Sequence, residues 1–177
     1  SEFAAEGTEA HALCEYKLKT AFGMKAENPA ATLRYYSDEM KDCANGYAAF
    51  ILELVATAKQ ACRDPIVLIE QRLDFSRYVR DGFGTGDCVL IADGTLHVVD
   101  YKHGQGVLVE AEGNPQMMLY ALGALELFDG IYDISTVSMT IYQPRRDNVS
   151  THTVFKEALY QWAEEVLRPA SEQAYAG

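Results

Sequence analysis

The order of periodicities along the chain predicts an α/β or α+β domain built on one mixed sheet. Three observations carry this reading. Apolar residues recur at helical spacing through residues 7–22 and 38–61, then the pattern turns β-rich from Ile66. Asp93-Gly94 sits between two apolar runs, which is a strong short-range hairpin signal. A helix signature at Asn114-Pro115 is followed by an alternating stretch, Thr136 to Gln143, that returns to the sheet.

Each element has its own warrant. In residues 7–22, Ala10, Leu13, Cys14, Leu18 and Ala21 share a helical face, and Gly23 stands at the stop position. Asn28-Pro29 marks a turn. Ser37 is placed to cap a helix over 38–61, and Asp38 and Glu39 suit its positive end. Asp64-Pro65 closes it. Ile66 to Phe75 carries Val67, Ile69 and Leu73 among polar residues and reads as a strand. Residues 77–84 form a loop, and 86–92 and 95–102 form the hairpin. Residues 104–113, with Gly104, Gly106 and Gly113, read as a loop. Asn114 then caps a helix with Pro115 at its first position, running to Phe128 and ending at Asp129-Gly130. Val137, Met139 and Ile141 alternate in the next strand, which Pro144 stops. Residues 149–154 suit a short strand, and 155–168 a final helix ended by Pro169.

Composition sets the outer limits. The chain has 177 residues, 49% hydrophobic and 23% charged, which suits one domain over 1–177 with a real core and excludes a disordered tail. No run of about 18 apolar residues occurs, so neither a membrane span nor a membrane partner is expected. The most apolar stretch, Tyr47 to Ala58, is interrupted by Glu53. No basic-then-apolar leader marks the chain for export, which points to the cytoplasm. Fifteen Lys and Arg against 26 Asp and Glu give a net charge of −11, so a bulk basic footprint for nucleic acid is absent. A site that gathers carboxylates around divalent metals would be a local exception. Cys14, Cys43, Cys62 and Cys88 form no CxxC and read as reduced, mostly buried thiols.

The hairpin supplies the first functional clue. With Asp93 and Gly94 as the loop residues, Ala92 faces Thr95, and the same register sets Asp87 directly opposite Asp100. Side-chain alternation puts Lys102 on that face, beyond the apolar Val89, Ile91, Leu96 and Val98. Opposed carboxylates need compensation: by solvent, by a cation, or by Lys102.

Around this pair lies an ordered set: Gly7-Thr8-Glu9-Ala10-His11 on the first helix, Glu70 on the preceding strand, Gly84-Thr85-Gly86-Asp87, Val98-Val99-Asp100-Tyr101-Lys102, and Gln116 to Tyr120. Over residues 5–125 the set resembles RecB-like nucleases of the PD-(D/E)xK superfamily, and more closely the RecB-like exonucleases borne by phages and prophages. The resemblance implies a restriction-endonuclease-like α/β fold, a mixed β-sheet flanked by α-helices. It implies that His11 reaches a metal site, that Asp87 and Asp100 are metal ligands, and that Tyr101 adds its backbone carbonyl. Lys102 matches the catalytic lysine, and Gln116 and Tyr120 match a QxxxY motif that orients the site and contacts the DNA strand. Glu70 matches an acidic position of the preceding strand. Family members are usually longer, so these residues read as a minimal core or as the core of a longer chain. The cysteines do not match the iron–sulfur arrangement of some RecB-like relatives, and no cluster is expected.

Elementary chemistry agrees with that assignment. Phosphodiester cleavage needs a deprotonated water and relief of charge at phosphorus. Asp87 and Asp100 are hard oxygen donors suited to Mg²⁺ or Mn²⁺, one or two ions, and His11 suits Mn²⁺. Lys102 beside a dication can orient or help deprotonate the water. Gln116 and Tyr120, four residues apart, share a helix face. Gly7, one turn before His11, has no side chain to block close approach.

Each residue also has a plainer reading. His11 alone is an ordinary helix histidine, Tyr120 alone a core aromatic, and Glu70 a partner for Arg72. His97 falls on the face opposite Asp100 and reads as structural; His103 is given no role. Arg72, Arg77, Arg80, Arg145 and Arg146 either rim a DNA channel or lie as solvated surface. The expected function is metal-dependent DNA hydrolysis, exonucleolytic by family likeness, in phage recombination or DNA processing. Two rivals stand: a catalytically silent nuclease fold that binds DNA or protein, and a metal hydrolase acting on small phosphoesters. Nothing in the sequence shows an oligomer interface.

Overall fold

The computed structural model describes residues 1–176. Its centre is a five-stranded mixed sheet in sequential order, β1 (Ile66–Asp74), β2 (Phe83–Ala92), β3 (Thr95–Tyr101), β4 (Thr136–Gln143) and β5 (Asn148–Phe155). β1, β2 and β3 form an antiparallel meander, β4 runs parallel to β3, and β5 returns antiparallel. The parallel step requires a crossover, supplied by α3 (Pro115–Phe128). Helices α1 (Glu2–Ala21) and α2 (Asp38–Ala61) precede the sheet, and α4 (Lys156–Trp162) follows it. The fold is thus α/β, a mixed sheet flanked by helices, as in the restriction-endonuclease-like arrangement.

Alternation along the strands divides the core in two. Val89, Ile91, Leu96 and Val98 point to one face and pack with Met117, Ala121 and Leu125 of α3 and Leu159 of α4. Cys88, Leu90, Val99 and Tyr101 point to the other and pack with Leu13 and Leu18 of α1 and Met40, Tyr47 and Ile51 of α2. At about 25 cal/mol per Å² of apolar area, burial on both faces is what holds a sheet of this kind together. All four cysteines are free, with Cys14 and Cys88 buried. No helix among the described residues is long and apolar enough to cross a membrane.

The hairpin register is the expected one: Ala92 pairs with Thr95, and Cys88 with Val99. Asp93 and Gly94 both adopt positive φ, 47° and 77°, as a tight primed turn requires. The predicted caps also form, with Ser37 Oγ accepting from the Met40 amide at 3.1 Å and Asn114 Oδ1 from the Met117 amide at 3.1 Å.

Three boundaries differ from the sequence expectation by more than one residue. Helix α1 starts at Glu2 instead of residue 7, because Ser1 Oγ caps it by accepting from the Ala4 amide at 3.2 Å. Strand β2 starts at Phe83, since Phe83, Gly84 and Thr85 pair with Asp74, Leu73 and Arg72 despite the glycine. The last helix does not end at Pro169. It passes through a π-helical turn, Ala163–Leu167, into α5 (Arg168–Ala176). Proline lacks an amide N–H and crowds the preceding turn, and the wider π turn sits where that crowding falls.

Candidate active site

The two-layer division sets the geometry of the site. Asp87 continues the ladder past Cys88, and Asp100 continues it past Val99, so both carboxylates emerge at one end of the α3-facing layer. They are 9% and 4% exposed. His11 comes from α1 in the opposite layer, and its Nδ1 lies 3.1 Å from Asp87 Oδ1. The other oxygen of Asp87, Oδ2, accepts the Tyr101 amide at 2.7 Å. The site is therefore a seam where both helical layers meet the end of the sheet.

Lys102 faces into the seam. Its Nζ is 2.8 Å from Asp100 Oδ2 and donates to Gln116 Oε1 at 2.6 Å. Gln116 Nε2 in turn donates to the Tyr120 hydroxyl at 3.2 Å. The i, i+4 pair on α3 thus acts as a clamp on the lysine. Tyr120 is held from below by Gly84, where a Cβ would stand 2.5 Å from the ring. Gly84→Ala is expected to push Tyr120 and Gln116 off Lys102 and to destabilise the protein by about 1–3 kcal/mol, as overpacking does. A thermal melt of the variant checks the loss, and retention of the wild-type Tm would overturn it.

Glu70 enters differently. It interrupts the β1–β2 pairing between Ile69↔Cys88 and Gln71↔Gly86, opposite Asp87, with φ at 54°. A non-glycine residue in the left-handed region within a strand is strained. The distortion accompanies a side chain that lines the cleft with His11, Asp87, Asp100, Lys102, Gln116 and Tyr120. The expected alternative, an ion pair with Arg72, is absent among the described residues; Arg72 stacks its guanidinium 4.1 Å over the Phe83 ring.

The cleft has a volume of about 470 Å³. It holds three carboxylates and little compensation, and their protonation shows it. Burial, then the Asp87 charge, pushes the Asp100 carboxyl up to about 7, with Lys102 opposing. Burial and Asp87 likewise push Glu70 up to about 7. Burial acts upward on Asp87 too, but its bonds to His11, Asp100 and the Tyr101 amide hold it below the usual carboxylate range. Burial lowers the His11 imidazole, yet the Asp87 carboxylate outweighs it and the net effect is upward. Asp87 and Asp100 are thus a dyad in which one proton is retained well above the ordinary carboxylate range.

Every predicted site residue but one brings its side chain to this cleft. Tyr101 is the exception: its ring is fully buried in the opposite layer, edge-on to His11 at 5.4 Å, and its hydroxyl meets His103 Nδ1 at 2.7 Å. Only its backbone faces the site. Gly7 adjoins the cleft, but nothing lies within 4 Å of where its Cβ would stand, so it leaves open space and does not mediate a close contact. Thr85 and Thr8 also line the cleft and were not singled out from the sequence. Thr85 was findable, since it precedes Asp87 by two on the same strand and shares its face.

Arg72, Arg77, Arg145 and Arg146 do not form a free basic rim. Arg77 pairs with Glu126 at 3.3 Å, and Arg145 with Glu6 at 2.6 Å and Glu39 at 3.0 Å. Arg146 donates to the Gln105 carbonyl at 3.4 Å. His97 faces the α1/α2 layer, where burial lowers its pKa.

The donor chemistry fits a hard dication. Asp100 Oδ2 is buried and accepts no hydrogen bond from the described residues, despite its ionic contact with Lys102. The arrangement is closed, however. Asp87 spends both oxygens on His11 and Tyr101, and no group of three or more His, Cys, Asp or Glu among the described residues is disposed as a ready cage. Binding would therefore have to displace the His11–Asp87 bond.

A family model described as a protein of unknown function, DUF2800, matches residues 1–177. Among solved structures, that titled "Crystal structure of SSO0001" is similar over 89% of this chain and 84% of its own, at 14% identity and a TM-score of 0.28.

Proposed function

The chain belongs to the DUF2800 family, and we propose that it is a divalent-metal-dependent nuclease that hydrolyses DNA phosphodiester bonds. One observation carries the reading: the opposed pair Asp87 and Asp100 shares a cleft with Lys102, whose amine is fixed between Asp100 and Gln116. Support also comes from the buried Asp100 oxygen, met by the Lys102 ammonium alone among the described residues, and from the ordered likeness to RecB-like nucleases. Family likeness alone favours an exonuclease and a phage or prophage setting in a bacterial cytoplasm.

Asp87 and Asp100 would hold Mg²⁺ or Mn²⁺, one or two ions, with His11, Glu70 and the Tyr101 carbonyl as further donors. Such an ion supplies charge relief at the phosphoryl oxygens and lowers the pKa of bound water. Lys102 holds the attacking water and takes part in moving its proton, positioned by Gln116 and, through it, by Tyr120. Asp100 keeps Lys102 oriented until the carboxylate is used elsewhere. Acidic residues suit this task only when ionised, so metal affinity rises as pH climbs through about 7, the range into which Asp100 and Glu70 are pushed.

The same shifts give a stability prediction. A carboxyl whose folded pKa is raised binds more protons folded than unfolded, so its contribution falls from the ordinary carboxylate range up to about 7 and stays low above it. A dication removes that penalty. Mn²⁺ at one fixed concentration, about 100 times its Kd at about pH 8, is expected to raise Tm by roughly 5–10 °C at that pH and by less at about pH 5.5, where its affinity is lower. A smaller gain at the higher pH, seen by scanning fluorimetry, would count against the cleft as the binding site.

The activity test is digestion of linear double-stranded, single-stranded and closed circular DNA with Mn²⁺, Mg²⁺ or EDTA. Metal-dependent loss of DNA is expected, and sparing of the circle identifies a need for an end. A folded, metal-binding protein that leaves all three intact would overturn the proposal. Hydrolysis of small phosphoesters that DNA does not inhibit would replace it with the small-substrate reading, which the net charge of −11 favours.

A further inference from the structure

Beside the carboxylate cleft lies a second one, of about 480 Å³, between the start of α1 and the loop that follows β3. Gly7 lies on the wall of both clefts, with nothing within 4 Å of where its Cβ would be. The two hollows therefore share a wall at a position with no side chain. Building on the nuclease reading, we propose that this second cleft seats the base of the nucleotide adjoining the cleaved phosphate.

The walls decide the class of ligand. Residues 103–107 are pinned through their carbonyls. The His103 carbonyl accepts from Arg145 at 3.4 Å, Gly104 from Gln143 at 2.9 Å, Gln105 from Arg146 at 3.4 Å, and Val107 from Gln143 at 2.8 Å. Among the described residues no hydrogen bond uses the amides of Gly104, Gln105 or Gly106. A loop held in this way presents bare peptide faces and spare N–H donors. Flat apolar surface together with a few donors suits a nucleobase, whose ring stacks and whose edge carries oxygen and nitrogen acceptors.

The charges speak against a phosphate here. Arg145 is the cation in the wall, and Glu6 and Glu39 hold it at 2.6 and 3.0 Å. His103 is 6% exposed, and its ring is tied to the Tyr101 hydroxyl. No net positive charge is left to receive an anion, whereas a neutral base needs none. The floor is also tied at four carbonyls, which suits a seat that must hold one unit of a polymer in register with the reacting group.

Gly106 offers a clean probe. Its φ is not in the left-handed region, and no atom lies within 4 Å of an added Cβ. Gly106→Leu is thus expected to fold and to fill the cleft, while Gly106→Ala leaves it open. The full chain with Mn²⁺ would be assayed on an intact oligonucleotide, on oligonucleotides with one abasic residue at successive positions around the cleaved linkage, and on bis-nitrophenyl phosphate. Wild type is expected to show a KM about tenfold higher for one abasic placement, the scale of one stacked base. Gly106→Leu is expected to show the same rise on the intact strand, to ignore the abasic change, and to hydrolyse the small diester as wild type does. Indifference of wild type to every abasic placement, or a wild-type KM for Gly106→Leu on the intact strand, would overturn the seat while leaving the nuclease reading standing. If Gly106→Leu also fails on the small diester, the abasic series on wild type decides. A wild type that cleaves none of the substrates refutes the nuclease reading itself, and the base seat falls with it.

Discussion

Lys102→Ala is expected to reduce kcat for DNA cleavage by about 10²–10⁴-fold with little change in KM, the range for loss of a positioned proton-transfer group. The fold is expected to survive. The lysine side chain is 26% exposed, so little packing is lost. Asp100 loses its counter-charge, but a carboxyl already pushed up to about 7 can simply keep its proton. Lys102→Arg sharpens the test. It retains positive charge beside Asp100 but does not release a proton near neutral pH, and its planar head does not reproduce the Lys102–Gln116 contact. Rapid-quench cleavage with both variants separates the roles. Recovery with arginine would show that charge alone matters, and full activity of the alanine variant would remove Lys102 from the reaction.

The largest stability effect is expected at Tyr101. Its ring is fully buried between α1, α2 and the sheet, 5.5 Å from Tyr47 and 5.4 Å from His11. Tyr101→Ala opens a cavity and leaves His103 Nδ1 without its hydroxyl partner. Large aromatic truncations of this kind cost about 3–5 kcal/mol, or roughly 6–20 °C in Tm for a domain of this size. Tyr101→Phe removes only the hydroxyl and is expected to cost about 1–3 kcal/mol. Thermal melts read both. A shift below about 2 °C for the alanine variant would mean that the layer repacks freely, contrary to a close-packed core.

The hairpin was legible because Asp93-Gly94 fixes the turn, and a fixed turn fixes every pair beyond it, including the meeting of Asp87 with Asp100. The α3 start was legible because Asn114-Pro115 encodes its own cap. Neither signal depends on distant residues. What was hidden depends on them. That Gly84 supports Tyr120 follows from β2 lying against α3, which no local pattern states. The left-handed backbone at Glu70 is imposed by its neighbours, since glutamate itself disfavours it. Arg145 looked like free surface charge because Glu6 and Glu39, its partners, are remote in sequence. His11 entered the site reading through family likeness; its helix pattern alone marks only a half-buried position. Pro169 misled because proline usually ends a helix, and the π turn that accommodates it has no sequence signature of its own.

The spacing of the site contacts has a consequence for the newly made chain. His11 must wait for Asp87, which lies 76 positions later, and Lys102 must wait for Gln116, another 14 after itself. A chain emerging from the ribosome can form α1 and α2 early, since helices need only local contacts. It has no dyad until β3 is out, and no clamped lysine until the first turn of α3 has followed. Any product that stops before Pro115 therefore carries the carboxylates without the part that positions the amine. The order in which the protein is synthesised thus completes the cleft only after both long helices and the hairpin, with β4, β5 and α4 still to follow.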